Sequence, residues 1–169
     1  WAEFSPNGRT LAVAHRGGAV TWWDTKTRER QALFHCQHLG TEIPMGFSPD
    51  GRWFAAGGQT GLMMLWEVAT QQAKLIARAH LNQINSLAFS PDGRRLITSG
   101  TGTADTLKVW DVESGRDVAT LTGEAGFYDL IRFSPDGKTV FATANNGTVL
   151  LWRAPSFEEI EAREQAKAR

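Results

Sequence analysis

The sequence predicts an all-β protein built from four copies of one small antiparallel sheet, and three observations in its 169 residues carry that prediction. A five-residue stretch recurs as Phe4-Ser5-Pro6-Asn7-Gly8, Phe47-Ser48-Pro49-Asp50-Gly51, Phe89-Ser90-Pro91-Asp92-Gly93 and Phe133-Ser134-Pro135-Asp136-Gly137, at spacings of 43, 42 and 44 residues. A second landmark, Trp23, Trp66, Trp110 and Trp152, keeps the same beat at 43, 44 and 42. The segments between are short, rich in β-branched and aromatic residues and broken by Gly, which excludes a helical repeat of similar period. Two unrelated markers in phase over the whole chain indicate a repeat architecture. Four short strands per period describe the blade of a β-propeller.

Each repeat has the same grammar. A first strand precedes the motif, clearest as Ile84 to Phe89 and Asp129 to Phe133. The Ser-Pro-Asp-Gly that follows is a hairpin turn: Pro presets φ, Asp or Asn tolerates the third turn position, and Gly takes the positive φ that closes the loop. The second strands are Thr10 to Ala14, Trp53 to Ala56, Leu96 to Ser99 and Thr139 to Thr143. The third strands, Ala19 to Trp23, Leu62 to Trp66, Thr106 to Trp110 and Thr148 to Trp152, are almost continuously apolar, as strands are when both faces of their sheet are covered. A more polar fourth strand, at Glu29 to Phe34, Ala73 to Ala77 and Asp117 to Leu121, suits an outer edge. The repeats span about 1–34, 35–77, 78–121 and 122–154. After Trp152 no outer strand follows. Pro155 marks a break, Ser156 and Glu159 form a capping box, and 155–169 reads as a tail with a short C-terminal helix over 156–168.

Composition narrows the function classes. Eighteen basic and eighteen acidic side chains are interspersed and the net charge is zero, so there is no electrostatic footprint for nucleic acid or an anionic membrane. The single Cys36 forms no internal disulfide, which fits a reducing, cytoplasmic setting. The longest apolar run, Leu62 to Trp66, is strand-sized and far below the ~18 residues of a membrane span. The chain starts at Trp1, inside a motif and without Met, so we expect sequence to precede it.

With these landmarks in place, the chain resembles the WD-repeat β-propeller family over residues 1 to about 154. The family's Trp-Asp pair stands as Trp23-Asp24 and Trp110-Asp111, and departs to Trp66-Glu67 and Trp152-Arg153. Its repeat-opening Gly-His corresponds to Gln37-His38 and Ala79-His80, with Gly123-Glu124 in the last repeat. The resemblance implies a hydrogen-bonded structural tetrad, approached only in the third repeat by His80, Ser99, Asp105 and Trp110. It also implies a ring closed when the N-terminus supplies the outer strand of the last blade, and the charged tail is similar to those of bacterial members. We therefore expect four blades present as an open arc or part of a larger ring, the C-terminal portion of a longer bacterial protein, with two blade faces exposed.

No constellation points to catalysis or a cofactor. His35, Cys36 and His38 are soft or borderline ligands within four residues, but no second cluster completes a coordination shell and the spacing fits no common zinc finger. The Ser-His-Asp set of the third repeat has triad residue types, which the structural tetrad already explains. Gly100-Thr101-Gly102 lacks the following helix that a phosphate loop needs. The seven Trp could form aromatic cages, yet four are the periodic third-strand residues, and Trp1, Trp22 and Trp53 share no constellation.

Rigid blades with variable rim loops suit a binding platform. If the family geometry carries over, one rim presents Arg16, Gln59, Gln83, Phe127, Tyr128 and Asn145, a mix suited to a protein partner. The leading expectation is a non-catalytic protein-interaction scaffold in a multidomain protein such as a kinase. The alternatives are a structural module that pairs arcs into larger rings through its exposed faces, and an enzyme that uses the propeller channel.

Overall fold

The computed structural model describes residues 1–36, 39, 40, 43–101, 107–122 and 128–153. They form four antiparallel sheets, each ordered as the chain runs. Sheet 1 holds β1 (Ala2–Phe4), β2 (Thr10–His15), β3 (Ala19–Asp24) and β4 (Arg30–His35). Sheet 2 holds β5 (Met45–Phe47), β6 (Trp53–Gly57), β7 (Leu62–Glu67) and β8 (Gln72–Arg78). Sheet 3 holds β9 (Ile84–Phe89), β10 (Arg95–Gly100), β11 (Leu107–Asp111) and β12 (Asp117–Leu121). Sheet 4 has three strands among the described residues: β13 (Tyr128–Phe133), β14 (Thr139–Ala144) and β15 (Val149–Arg153). The expected C-terminal helix lies outside the described residues.

The recurrent turn works as its chemistry predicts, with one addition. Gly8, Gly51, Gly93 and Gly137 take φ of 69°, 71°, 70° and 71°. The Ser hydroxyl is the hub of each turn. In the third copy Ser90 Oγ accepts the Arg95 N–H at 2.9 Å and donates to Asp92, whose carboxylate accepts the Arg94 N–H at 3.0 Å. The same bonds recur through Ser5 and Asn7, Ser48 and Asp50, and Ser134 and Asp136.

The first strands lie at the inner edge, where β1 touches β5, β5 touches β9 and β9 touches β13. The fourth strands lie at the outer edge and are largely exposed. Where the third and fourth strands pair, the register slips at Trp22/Trp23, Leu65/Trp66 and Val109/Trp110. A bulge at the same place in three sheets is a built feature of the repeat; it increases local twist beside the periodic Trp.

Pairing register shows which side chains share a face. One face of each sheet carries the motif Phe and the periodic Trp; the other carries the residue before that Trp. In sheets 2, 3 and 4 the Trp face is turned to the preceding sheet. Trp66 and Phe54 pack with Trp22 and Phe34 of sheet 1, and Trp110 and Leu96 with Trp53, Ala55 and Leu65 of sheet 2. Val140, Ala142 and Trp152 pack with Ile97 and Leu107 of sheet 3. The first seam is aromatic: Trp22 meets Phe54 edge-on at 5.3 Å, and Phe34 lies 5.3 Å from Trp66. Trp22 and Trp53, which fall outside the repeat pattern, are therefore seam residues, 1% and 4% exposed. Polar bonds add to the last seam, where the Ile131 N–H donates to Ser86 Oγ at 3.2 Å and Ser99 Oγ donates to the Tyr128 carbonyl at 3.1 Å.

The row of sheets is not closed. Phe4 on sheet 1 and Val149 and Leu151 on sheet 4 are exposed, and these two faces are its ends.

Candidate functional site

The β2–β3, β6–β7 and β14–β15 loops lie at one rim with the described residues that open the second and third repeats, and backbone contacts hold its middle. Gln59 N–H donates to the Leu39 carbonyl at 2.8 Å, Ile84 N–H to Gly58 at 3.0 Å, and Thr101 N–H to Gln83 at 2.9 Å. Asn82 Nδ2 adds a bond to the Thr101 carbonyl at 3.1 Å, and Arg78 Nη1 one to Thr60 at 3.4 Å. Gly61 lies so close to the carbonyls of His80 and Asn82 that no Cβ fits, and its φ of 75° favours glycine independently. These bonds tie the β6–β7 loop to the openings of the second and third repeats.

On this surface the structure places the predicted partner-binding residues unequally. Arg16, Gln59 and Asn145 are exposed, and Gln83 is half-buried. Tyr128 corrects the expectation: it is fully buried, edge-on to Trp152 at 6.1 Å, and belongs to the seam between sheets 3 and 4. Its ring is apolar surface that the seam covers, and so it is unavailable to a partner. Phe127 lies outside the described residues. Leu81, which sequence reasoning passed over, is 70% exposed beside His80. Its exposure is a property of the folded chain, and no sequence signal marks it.

At the inner edge the rim opens onto a cavity of about 290 Å³ lined by Trp1, Pro44, Gln83, Ile84, Asn85 and Asp129. A second cavity of about 210 Å³ runs along the innermost strands of all four sheets, from Glu3 past Met45 and Leu87 to Arg132. Trp1, 69% exposed, borders both.

Beneath the rim lies a buried polar hub. His80 Nε2 is 2.8 Å from Thr98 Oγ1, which also accepts the Trp110 indole N–H at 3.1 Å. The hydroxyl of this network is therefore Thr98, where Ser99 was expected. Ser99 points to the opposite face of β10 and bonds the Tyr128 carbonyl instead. Asp105 lies outside the described residues. Sheet 1 has a related hub that the sequence reading did not anticipate, with Thr21 Oγ1 2.7 Å from His15 Nε2 and accepting from Trp23 Nε1 at 2.9 Å. A hydroxyl beside an imidazole has the parts of a nucleophile and its base, but Thr98 is 0% and His80 1% exposed. Substrate cannot reach them, so the hub acts on structure.

Cys36 is also buried, and burial pushes its thiol up to about 11, which makes it unreactive. No three His, Cys, Asp or Glu side chains gather as metal ligands among the described residues, and His38 lies outside them. Among the described residues no helix is long and apolar enough to cross a membrane. On the opposite rim Arg52 and Lys74 stack over Trp53 at 4.8 and 4.4 Å. Both also pair with Glu113, at 3.5 and 3.6 Å, tying sheet 2 to sheet 3.

Known proteins are similar to this chain in sequence or in fold. The sequence is 36% identical over 85 residues to Protein Atg16l2 of Mus musculus, covering 48% of this chain and 13% of that protein. It is 33% identical over 81 residues to Protein tipD of Dictyostelium discoideum, again covering 48% and 13%. The chain thus spans about an eighth of the length of the relatives it matches. The fold alone is similar to a chain of Kuenenia stuttgartiensis Hydrazine Synthase, with a TM-score of 0.77 at 20% identity over 90% of this chain and 45% of that one. The family model "WD domain, G-beta repeat" matches residues 43–67, 71–111 and 115–153, more than half of the sequence, and the chain belongs to the WD-repeat family.

Proposed function

We propose that the chain is a non-catalytic protein-interaction scaffold, one part of a larger bacterial multidomain protein that works in the cytoplasm, and that it engages its partner through the rim bearing Arg16, Gln59, Leu81, Gln83 and Asn145. The observation that carries this reading is the exposed Leu81 among polar side chains on loops fixed by backbone bonds. An apolar anchor with a polar surround on a rigid base loses little entropy on binding, as interaction hot spots require. Family membership supports protein binding in general. The zero net charge supports a partner other than nucleic acid.

Partners captured by the chain and identified by mass spectrometry should be lost from an Arg16→Ala, Leu81→Ala, Asn145→Ala triple variant whose circular dichroism matches the parent. Undiminished capture by that variant overturns the rim. A second reading, assembly of copies into a larger ring, is favoured by the two open end faces.

A further inference from the structure

We infer that Asn146, in the β14–β15 loop of the rim, is a self-modification site where the chain converts its own side-chain amide to a carboxylate and releases ammonia. The chemistry stands without the rim reading, and its effect on a partner rests on that reading. An asparagine followed by glycine reacts in this way because the next backbone nitrogen reaches the side-chain carbonyl carbon, and glycine has no side chain to obstruct it. The Gly147 nitrogen bonds to Asn146 Cγ, its proton passes to solvent base, and the side-chain nitrogen leaves as ammonia with a proton from water. The resulting five-membered imide then takes up one water. Opening at Cγ gives aspartate; opening at the main-chain carbonyl gives isoaspartate, in which the backbone runs through the side chain. Nothing is oxidised or reduced, and either product adds one negative charge.

The dipeptide alone does not single out Asn146, because Asn7-Gly8 has it too, and Asp50-Gly51, Asp92-Gly93 and Asp136-Gly137 are its acidic counterparts. The structure separates them. Those four lie in the recurrent turn, where the side-chain oxygen is held twice, by the Ser hydroxyl and by the N–H two residues on. At Asn7 it accepts from Ser5 Oγ at 2.9 Å and from the Arg9 N–H at 3.0 Å. Ser5 is itself buried and fixed by the Thr10 N–H at 2.9 Å. The same pair of bonds holds Asp50, Asp92 and Asp136. Asn146 lacks the hydroxyl: among the described residues its oxygen accepts from the Thr148 N–H alone, at 2.9 Å. In both loops the attacking N–H is bonded, Gly8 to the Ser5 carbonyl at 2.8 Å and Gly147 to the Ala144 carbonyl at 3.0 Å. Ring closure therefore waits on a brief local opening, and the loop with fewer ties opens more often. Asn145, Asn146 and Gly147 are all exposed. The other asparagines, Asn82, Asn85 and Asn145, precede Gln83, Ser86 and Asn146, whose side chains crowd the attack. The new carboxylate stands next to Asn145, where a partner has to desolvate it.

The folded chain is incubated in mildly alkaline buffer made with heavy-oxygen water, digested with trypsin in ordinary water and mapped by mass spectrometry. Label should enter peptide 139–153, as aspartate and isoaspartate, faster than it enters peptide 1–9. One hydrogen bond sets the difference at about fivefold. In urea the two rates should converge, and Asn146→Gln should remove the uptake in 139–153. Ser5→Ala, with circular dichroism matching the parent, should raise Asn7 to the rate of Asn146. Equal rates at the two sites in the folded chain, or a faster Asn7, overturn the inference. An Asn7 rate unmoved by Ser5→Ala overturns the protecting role of the hydroxyl. Asn146→Asp should weaken partner capture by about tenfold. Capture lost in the rim triple variant but unchanged in Asn146→Asp overturns the effect on the partner alone. Capture unchanged in both overturns the rim reading, while the peptide rates alone decide the chemistry.

Discussion

Ser90 and Thr98 show how much a single hydroxyl decides in this chain. The turn Ser gathers a backbone N–H and a carboxylate, and its bond holds Asp92 below the ordinary carboxylate value of 3.8, helped by the Arg94 N–H. A depressed carboxylate contributes stability above its unfolded value and loses it as pH falls through the folded one. Asp136 is lowered for the same reasons by Ser134 and then Lys138, whereas Asn7 makes the same bonds without titrating. Asp92→Asn should therefore leave neutral-pH stability within about 0.5 kcal/mol and reduce the loss on acidification below pH ~4, as read from denaturant melts across pH. Thr98 serves His80 and Trp110 together, so Thr98→Val should cost about 1–3 kcal/mol in the same melts, because buried polar groups lose their partner. The turn was legible in the sequence down to the role of its Gly. The choice between Thr98 and Ser99 was missed, since neighbours in a strand point to opposite faces and a one-residue offset exchanges them. Leu96, on the face that meets the preceding sheet, shares its parity with Thr98 and marks which hydroxyl belongs to the hub.

At the scale of the strand, the periodic Trp and the residue before it divide the work of two seams. Third strands with little polar alternation announced coverage on both faces, and β7 and β11, in the two inner sheets, are covered so, whereas β3 and β15 each have one face open. Trp22 extends that logic: it lies in the first seam against Phe34, Phe47 and Phe54, and its indole N–H is buried without a partner among the described residues. Packing outweighs that orphan donor, and Trp22→Ala should destabilise the chain by about 3–5 kcal/mol in chemical denaturation. Tyr128 escaped the sequence reading for a related reason. Its position at the start of a repeat suggested a rim loop, but β13 begins there, and a large apolar ring at a strand end turns inward when a seam can cover it.

Across the whole molecule, repetition is what makes the end faces interpretable. Position-by-position equivalence shows Val149 exposed where Val20, Met63 and Leu107 are sealed, and Leu151 exposed where Trp22 and Leu65 are sealed and Val109 is half-buried, and no property of sheet 4 alone would reveal this. The two open faces were readable from the landmarks, because each repeat is a copy of the next. The rim was readable only in part, since loop residues carry no periodicity and exposed Leu81 stands out only against buried neighbours. Once capture has identified a partner, amide hydrogen exchange of the chain with and without it tests the scaffold reading most directly. We predict slowed exchange at 16–18, 58–61, 81–83 and 145–147, with the Ser-Pro-Asp-Gly turns unchanged. Slowing confined to those turns, or to the outer strands β4, β8 and β12, would contradict it.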